Sequence, residues 1–216
     1  MNMNKPFVIA IDGPAASGKG SLARKLALHL DYDFLDTGAL YRRVALKVIE
    51  SNIEATNHAA IIQMTENFCA ELKNSYNDDR LRTDDIGSMA SMVAQIPEVR
   101  DLLIDFQRNF AEKAVKGAVL DGRDIGTVIC PNATIKLFVT AHREKRAERR
   151  HKELQSRGVN VKYERVLAEM QERDERDKAR LNVHFSSDHN ANVIDTTNMT
   201  PEAVFEKAMD IIRSSS

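Results

Sequence analysis

The run Gly13-Pro14-Ala15-Ala16-Ser17-Gly18-Lys19-Gly20-Ser21 has the spacing G-x4-G-K, a loop able to hold a phosphate. Glycines let successive backbone N–H groups curl around an anion where a Cβ would clash. A helix starting at the end of the loop adds partial positive charge. Lys19 can reach the terminal phosphates of a nucleotide, and a hydroxyl nearby can ligate Mg²⁺. The residue after Lys19 is Gly20, and the hydroxyl comes one step later at Ser21. Three of the nine glycines fall within residues 13–20, directly after the apolar run Phe7–Ile11, so the loop has the strand before it that the motif requires.

Two further strings place charge at strand ends. Asp36-Thr37-Gly38-Ala39-Leu40-Tyr41-Arg42 follows a short apolar run; Thr37 is a candidate helix cap, with Arg42 about one turn inside. By spacing alone this reads equally as a capped helix with a surface arginine. Asp121-Gly122-Arg123-Asp124-Ile125-Gly126-Thr127 closes another apolar run. An arginine and two carboxylates crowded between glycines at a strand's carboxyl end suit a ligand site, because open α/β sheets bind ligands there. A third concentration of charge lies in residues 141–180, with 13 Lys+Arg against 9 Asp+Glu and nine of the 18 arginines. Arg173, Arg176, Asp177 and Arg180 share one helix face, as do Arg143, Arg146 and Arg150 on the preceding segment. Pairs such as Glu169–Arg173 and Glu172–Arg176 would be ordinary surface bridges. Beside a phosphate loop, the arginines become candidates for a helical lid, since planar guanidinium suits phosphate oxygens.

These residues need a scaffold. Five short apolar runs read as buried parallel strands: Phe7–Ile11, Phe34–Asp36, Val119–Asp121, Ile135–Val139 and Val193–Asp195. Leu22, Leu26 and Leu30 mark one apolar helix face after the first run. Pro97 opens a helix to about Ala114, Arg/Glu-rich helices fill 142–155 and 161–180, and Thr200-Pro201-Glu202 starts the last. Strands alternating with helices predict an α/β fold with a three-layer, five-stranded parallel sheet. Residues 51–95 are less regular, and Asn74–Asp79 reads as a turn-rich excursion.

Composition narrows the classes. With 216 residues, 43% hydrophobic and 29% charged, the chain fits one globular domain rather than two. The net charge of −1 argues against a protein that holds nucleic acid by bulk electrostatics. Cys69 and Cys130 form no CxxC pair and read as small buried hydrophobes. The histidines show no metal spacing, His184 and His189 included. Phe7–Ile11 is too short for a signal peptide or a membrane span, so the expectation is a reducing, cytoplasmic compartment and no membrane partner.

The form G-K-G-[ST] resembles nucleoside monophosphate kinases more than GTPases. Together with D-T-G-A-L-Y-R at 36–42 and D-G-R-D-I-G-T-V at 121–128, it resembles bacterial cytidylate kinases over residues 6–210. The resemblance takes in Ser91, Pro97, Arg100, Gln107-Arg108 and the run Glu172–Arg180. It implies a single kinase domain over 1–216, with a monophosphate-binding region at 51–115 and an arginine-rich lid at 142–180. It implies γ-phosphoryl transfer from Mg-ATP to CMP or dCMP, by a monomer. ATP would lie on Gly13–Ser21, with Ser21 toward Mg²⁺. Ser91, Arg100 and Asp124 would lie at the cytosine. Arg42, Arg123 and Arg180 would meet phosphates, Arg173 and Asp177 the ribose or phosphate, and Thr37 and Tyr41 the acceptor pocket. Lys19, Arg123, Arg173 and Arg180 would serve the transfer itself. Relative to the family, the insert between about 68 and 91 looks shortened.

Three rival readings remain at this level, the last a nucleic-acid binder using the 141–180 stretch, which would show a steep salt dependence. Another P-loop kinase, for uridylate, adenylate or a hydroxyl acceptor, shares the loop, and there Asp124 could act as base. A GTPase-type switch needs an N-K-x-D element that is absent, and Asp84-Asp85-Ile86-Gly87 matches only D-x-x-G.

Overall fold

The computed structural model describes residues 6–71, 79–181 and 190–215. The elements run β1 (Phe7–Asp12), α1 (Lys19–Leu30), β2 (Asp33–Asp36), α2 (Thr37–Glu50), α3 (His58–Glu71), α4 (Asp84–Val93) and α5 (Pro97–Lys113). They continue with β3 (Gly117–Gly122), β4 (Ile135–Thr140), α6 (Arg143–Ser156), α7 (Tyr163–Leu181), β5 (Asn192–Asp195) and α8 (Pro201–Ser214). A 3₁₀ turn covers Asp79–Arg82 and a π turn covers Ile125–Ile129. The strands form one sheet in the order β2-β3-β1-β4-β5, with β1 parallel to β3 and β4, and β4 parallel to β5. All five apolar runs are strands, four of them extended by one residue and the Val119–Asp121 run by three.

The chain divides into two compact units, residues 1–35 with 113–216, and residues 36–112. In the first, β3 is buried along its whole length, so both faces of the sheet are covered there, as parallel strands require. Leu22, Ala23, Leu26 and Ala27 of α1 pack with Ile9, Ile11, Leu137 and Val139 of the sheet and with Val204, Phe205, Ala208 and Met209 of α8. Burying a leucine this completely contributes about 1.5–3 kcal/mol. Thr200 caps α8 by accepting from the Ala203 amide at 3.2 Å, with Pro201 at the helix start. A second, smaller core joins Ala147 and Leu154 of α6 to Val166 and Met170 of α7, with Ala15 and Ala16 of the phosphate loop packed against it.

In the second unit, residues 51–71 and 79–95 are more regular than their composition suggests. They hold α3 and α4, and Ile86 and Ala90 of α4 pack on Ala45 and Tyr41 of α2. Gly87 and Ser88 weaken the helical pattern of α4, and tertiary burial makes up for it. Of the turn-rich stretch Asn74–Asp79, positions 74–78 lie outside the described residues, as do His184 and His189. The cap of α2 is Asp36 rather than Thr37: the Asp36 carboxylate accepts from the Ala39 amide at 3.1 Å, and Thr37 is the first helical residue, buried. Aspartate and threonine both cap well, so the sequence placed this boundary one residue late.

The cysteines are half-buried rather than buried, and partial burial raises the Cys69 thiol above its usual range. No helix among the described residues is long and apolar enough to cross a membrane.

Candidate active site

The phosphate loop leaves the carboxyl end of β1 and enters α1 at Lys19. Gly13 stands at φ +150°, and a Cβ there would lie 2.0 Å from the Val139 carbonyl oxygen of β4. No side chain fits that approach. Gly18 precedes α1 at φ +92°, and Ala16 holds φ +57°, a left-handed conformation that costs a non-glycine residue about 1 kcal/mol or more. Ser17 is fully buried.

The second loop starts one strand away. Asp12 of β1 lies in register with Gly122 of β3, so the phosphate loop and the Gly122–Gly126 loop leave the same edge of the sheet side by side. Asp121 is 5% exposed, and its carboxylate lies 3.6 Å from the Lys19 ammonium. A Cβ at Gly20 would come within 3.0 Å of Asp121 Oδ2. Any side chain directly after Lys19 would press on this carboxylate, and the hydroxyl of the loop stands one step later at Ser21, exposed in the first turn of α1. Sequence reasoning gave Asp121 no separate role.

Asp12 was also missed. Its carboxylate accepts from the amides of Ile125 at 2.9 Å and Gly126 at 2.8 Å, and so tethers the turn after Asp124. Burial pushes the Asp12 carboxyl up to about 6; the two amide bonds oppose the shift, and Asp124 and Asp121 add to it. A carboxyl raised in the folded state favours folding when protonated. That contribution is whole below the ordinary value of 3.8 and is lost as pH rises through about 6. The stability of the native chain relative to an Asp12→Asn variant should therefore fall between pH 4.5 and pH 7 in urea titrations. A gap that widened with pH would contradict the burial of this carboxyl.

Helix α7 brings the arginine-rich stretch to the same unit. Arg123 Nε donates to Asp177 Oδ2 at 2.9 Å, and Arg123 Nη1 to the Gly122 carbonyl at 3.2 Å. Burial opposes the Arg123 charge, yet Asp177, and beyond it Asp121 and Asp174, hold its proton above the ordinary arginine value. Arg173 is half-buried on α7. Arg180 lies on α7 too, with a side chain outside the described atoms. Glu172 meets Arg176 at 3.7 Å as expected, while Glu169 takes Arg165 instead of Arg173.

Helix α6 differs from the sequence reading. Arg146 is not on an open lid face: it is 5% exposed and chelates Asp174 of α7, with Nη1 to Oδ1 at 3.2 Å and Nη2 to Oδ2 at 2.6 Å. Its Nε donates to the Ala141 carbonyl and its Nη1 to the Ala15 carbonyl. Arg149, which no spacing singled out, donates to Thr196 Oγ1 at 2.9 Å and the Thr196 carbonyl at 2.6 Å, and lies 3.4 Å from the Ser17 carbonyl. Periodicity marked these arginines as one-sided but could not distinguish a solvated face from a buried one.

The second unit holds the other expected acceptor residues. Thr37, Tyr41 and Arg42 lie on α2, Ser91 half-buried on α4 and Arg100 half-buried on α5. Arg42 Nη1 donates to the Leu81 carbonyl at 3.1 Å.

Among solved structures, an uncharacterized protein from Eubacterium ventriosum superposes with a TM-score of 0.58 at 16% identity, over 97% of this chain and 99% of that one, a likeness of fold. A cytidylate kinase of Paramagnetospirillum magneticum is 48% identical over 210 residues, 96% of this chain and 98% of that protein. One from Rhodospirillum rubrum is 47% identical over 209 residues, 95% and 97% of the two chains. The family model described as cytidylate kinase matches residues 9–214, which include the phosphate loop, the Asp121–Thr127 string and both arginine-rich helices. With the loop, the buried Asp121 and the Arg123–Asp177 pair gathered at one sheet edge, and with this likeness along nearly the whole sequence, the chain belongs to the cytidylate kinase family.

Proposed function

We propose that the chain transfers the γ-phosphoryl of ATP to CMP or dCMP, with Lys19 and the loop amides on the donor and Arg42, Arg123, Arg173 and Arg180 on the phosphates of donor and acceptor. The observation that carries this reading is the pairing of two loops at adjacent strand ends, one ending in Lys19 and the other holding Arg123. Thr37, Tyr41, Ser91, Arg100, Asp124 and Asp177 would frame the nucleoside. The acceptor is a phosphate with a second pKa near 6 and is mostly dianionic at pH 7. No strong general base is needed, and catalysis rests on positioning and charge.

Mg²⁺ fits the oxygen donors present. The exposed Ser21 hydroxyl and the Asp121 carboxylate, which faces Gly20, are hard ligands of the kind magnesium takes. Held there, the ion would supply positive charge against the charge that develops on the phosphoryl group in transfer. Lys19 would hold the loop side of the donor and Asp121 would face the ion, while the arginines exclude water and fix the acceptor.

A panel of CMP, dCMP, UMP, AMP and shikimate with Mg-ATP, scored by ADP release, tests the assignment. CMP and dCMP should exceed the others in kcat/KM by at least about 100-fold, the worth of a few buried polar contacts. Comparable turnover of UMP or AMP would shift the assignment to another nucleotide, and turnover of shikimate alone would make Asp124 a base.

A further inference from the structure

Loops that bind anions through backbone N–H groups must turn their carbonyls away from the anion. Those carbonyls then need donors behind the loop, because an unmet buried C=O is costly. In this chain the donors come from α6 and from the residue after β5. The Ala15 carbonyl accepts from Arg146 Nη1 at 3.2 Å. The Ser17 carbonyl accepts from the Thr196 hydroxyl at 2.9 Å. That hydroxyl has a second acceptor at 3.1 Å, the Thr140 carbonyl, which the Thr196 amide already serves at 2.8 Å. Its single proton is therefore available to Ser17, and Arg149 Nη1 donates both to the hydroxyl oxygen at 2.9 Å and to the Ser17 carbonyl itself at 3.4 Å. Between the two held carbonyls sits Ala16, the left-handed non-glycine residue of the loop. Ala15 and Ala16 also pack on the α6–α7 core.

We propose that Arg146, and Thr196 together with Arg149, are positioning residues that clamp the Ala15 and Ser17 carbonyls from behind, hold Ala16 left-handed and so keep the loop's amides turned toward the phosphates of the donor. The proposal rests on the kinase reading for the identity of that donor. Thr196 is 2% exposed and nearly isosteric with valine, so Thr196→Val removes one hydroxyl while keeping the shape. Without its anchor, Ala16 relaxes toward a right-handed or extended conformation and the peptide turns over. Glycine at 16 has no preference against the left-handed region, so Ala16→Gly in the Thr196→Val background should restore part of the function.

The test measures dissociation constants for ATP and for CMP by calorimetry in the native chain, Thr196→Val and Thr196→Val/Ala16→Gly. Thr196→Val should weaken ATP by about tenfold, equivalent to about 1.4 kcal/mol, with CMP changed less than about twofold, and the double variant should recover at least about threefold. The native chain's own ATP affinity reports separately on the kinase reading. A probe independent of ligand is the Ala16 HN–Hα coupling, which should leave its left-handed value in Thr196→Val. Unchanged ATP affinity and unchanged coupling in that variant would overturn the clamp. Equal losses for ATP and CMP, with no rescue by glycine, would overturn it as well, leaving Thr196 a packing residue. For the Arg146 half, the paired variant Arg146→Met/Asp174→Leu avoids stranding a buried charge. It should also weaken ATP selectively, and full retention of ATP affinity there would remove Arg146 from the clamp.

Discussion

Lys19→Ala should lower kcat/KM for ATP by about 10³-fold or more while the far-ultraviolet circular dichroism stays native. The magnitude follows from charge: a cation about 4 Å from a phosphate oxygen contributes roughly 4 kcal/mol at an effective dielectric of 20, and each 1.36 kcal/mol is a factor of ten in rate. The fold should survive because Lys19 sits at the start of α1, outside the apolar cores. A cation at a helix N-terminus opposes the helix dipole, so local helix stability gives no reason for lysine there. Asp121 at 3.6 Å offsets part of that repulsion, and after the substitution its carboxylate still faces the Arg123 charge. Steady-state kinetics with ATP varied at saturating CMP would check the figure. Turnover within tenfold of the native chain would remove Lys19 from the donor site.

Much of the scaffold was legible because buried parallel strands are short, uniformly apolar and bounded by turns, and because α1 carries leucine every fourth residue. The phosphate loop was legible because glycine at positions 13, 18 and 20 leaves few other uses for the spacing. What escaped depends on tertiary approach. Nothing in the string R-E-K-R-A-E-R-R distinguishes Arg146, locked onto Asp174 and the Ala15 carbonyl, from Arg150, which takes Glu153 one turn away on its own helix. Asp12 looked like the last residue of a strand, and its role emerges only where the Ile125 and Gly126 amides meet it, more than a hundred residues later in the chain. The helix α4 was hidden for the opposite reason: its local propensity is poor, and burial against α2 decides its conformation. The net charge misled least where it was split. Residues 141–180 carry a positive excess, yet part of that charge is used inside the protein, on Asp174 and loop carbonyls.

The Arg123–Asp177 pair should show a large effect that divides into two measurable parts. Both side chains are largely buried, and Nε lies 2.9 Å from the carboxylate, with Asp121 and Asp174 adding to the field that holds the guanidinium charged. Arg123→Ala strands a desolvated carboxylate, and breaking such a pair from one side costs about 3–5 kcal/mol. The melting temperature should fall by several degrees, about 2–4 °C for each kcal/mol at this chain length. Arg123 would also neutralise charge on the transferring phosphoryl, and loss of one such donor lowers kcat by about 10²–10³-fold. The double variant Arg123→Ala/Asp177→Ala separates the two. Without the stranded carboxylate, most of the thermal stability should return, while kcat stays at the level of the single variant or below. Calorimetric melting and CMP kinetics on the two variants read both quantities. If kcat recovered together with stability, Arg123 would be a structural partner of α7 with no part in transfer. If neither recovered, the damage would lie in the Gly122–Gly126 loop itself. The separation is expected because the carboxylate cannot substitute for the guanidinium at a phosphate: it balances the arginine in the resting protein, and only the arginine has charge of the sign the reaction needs.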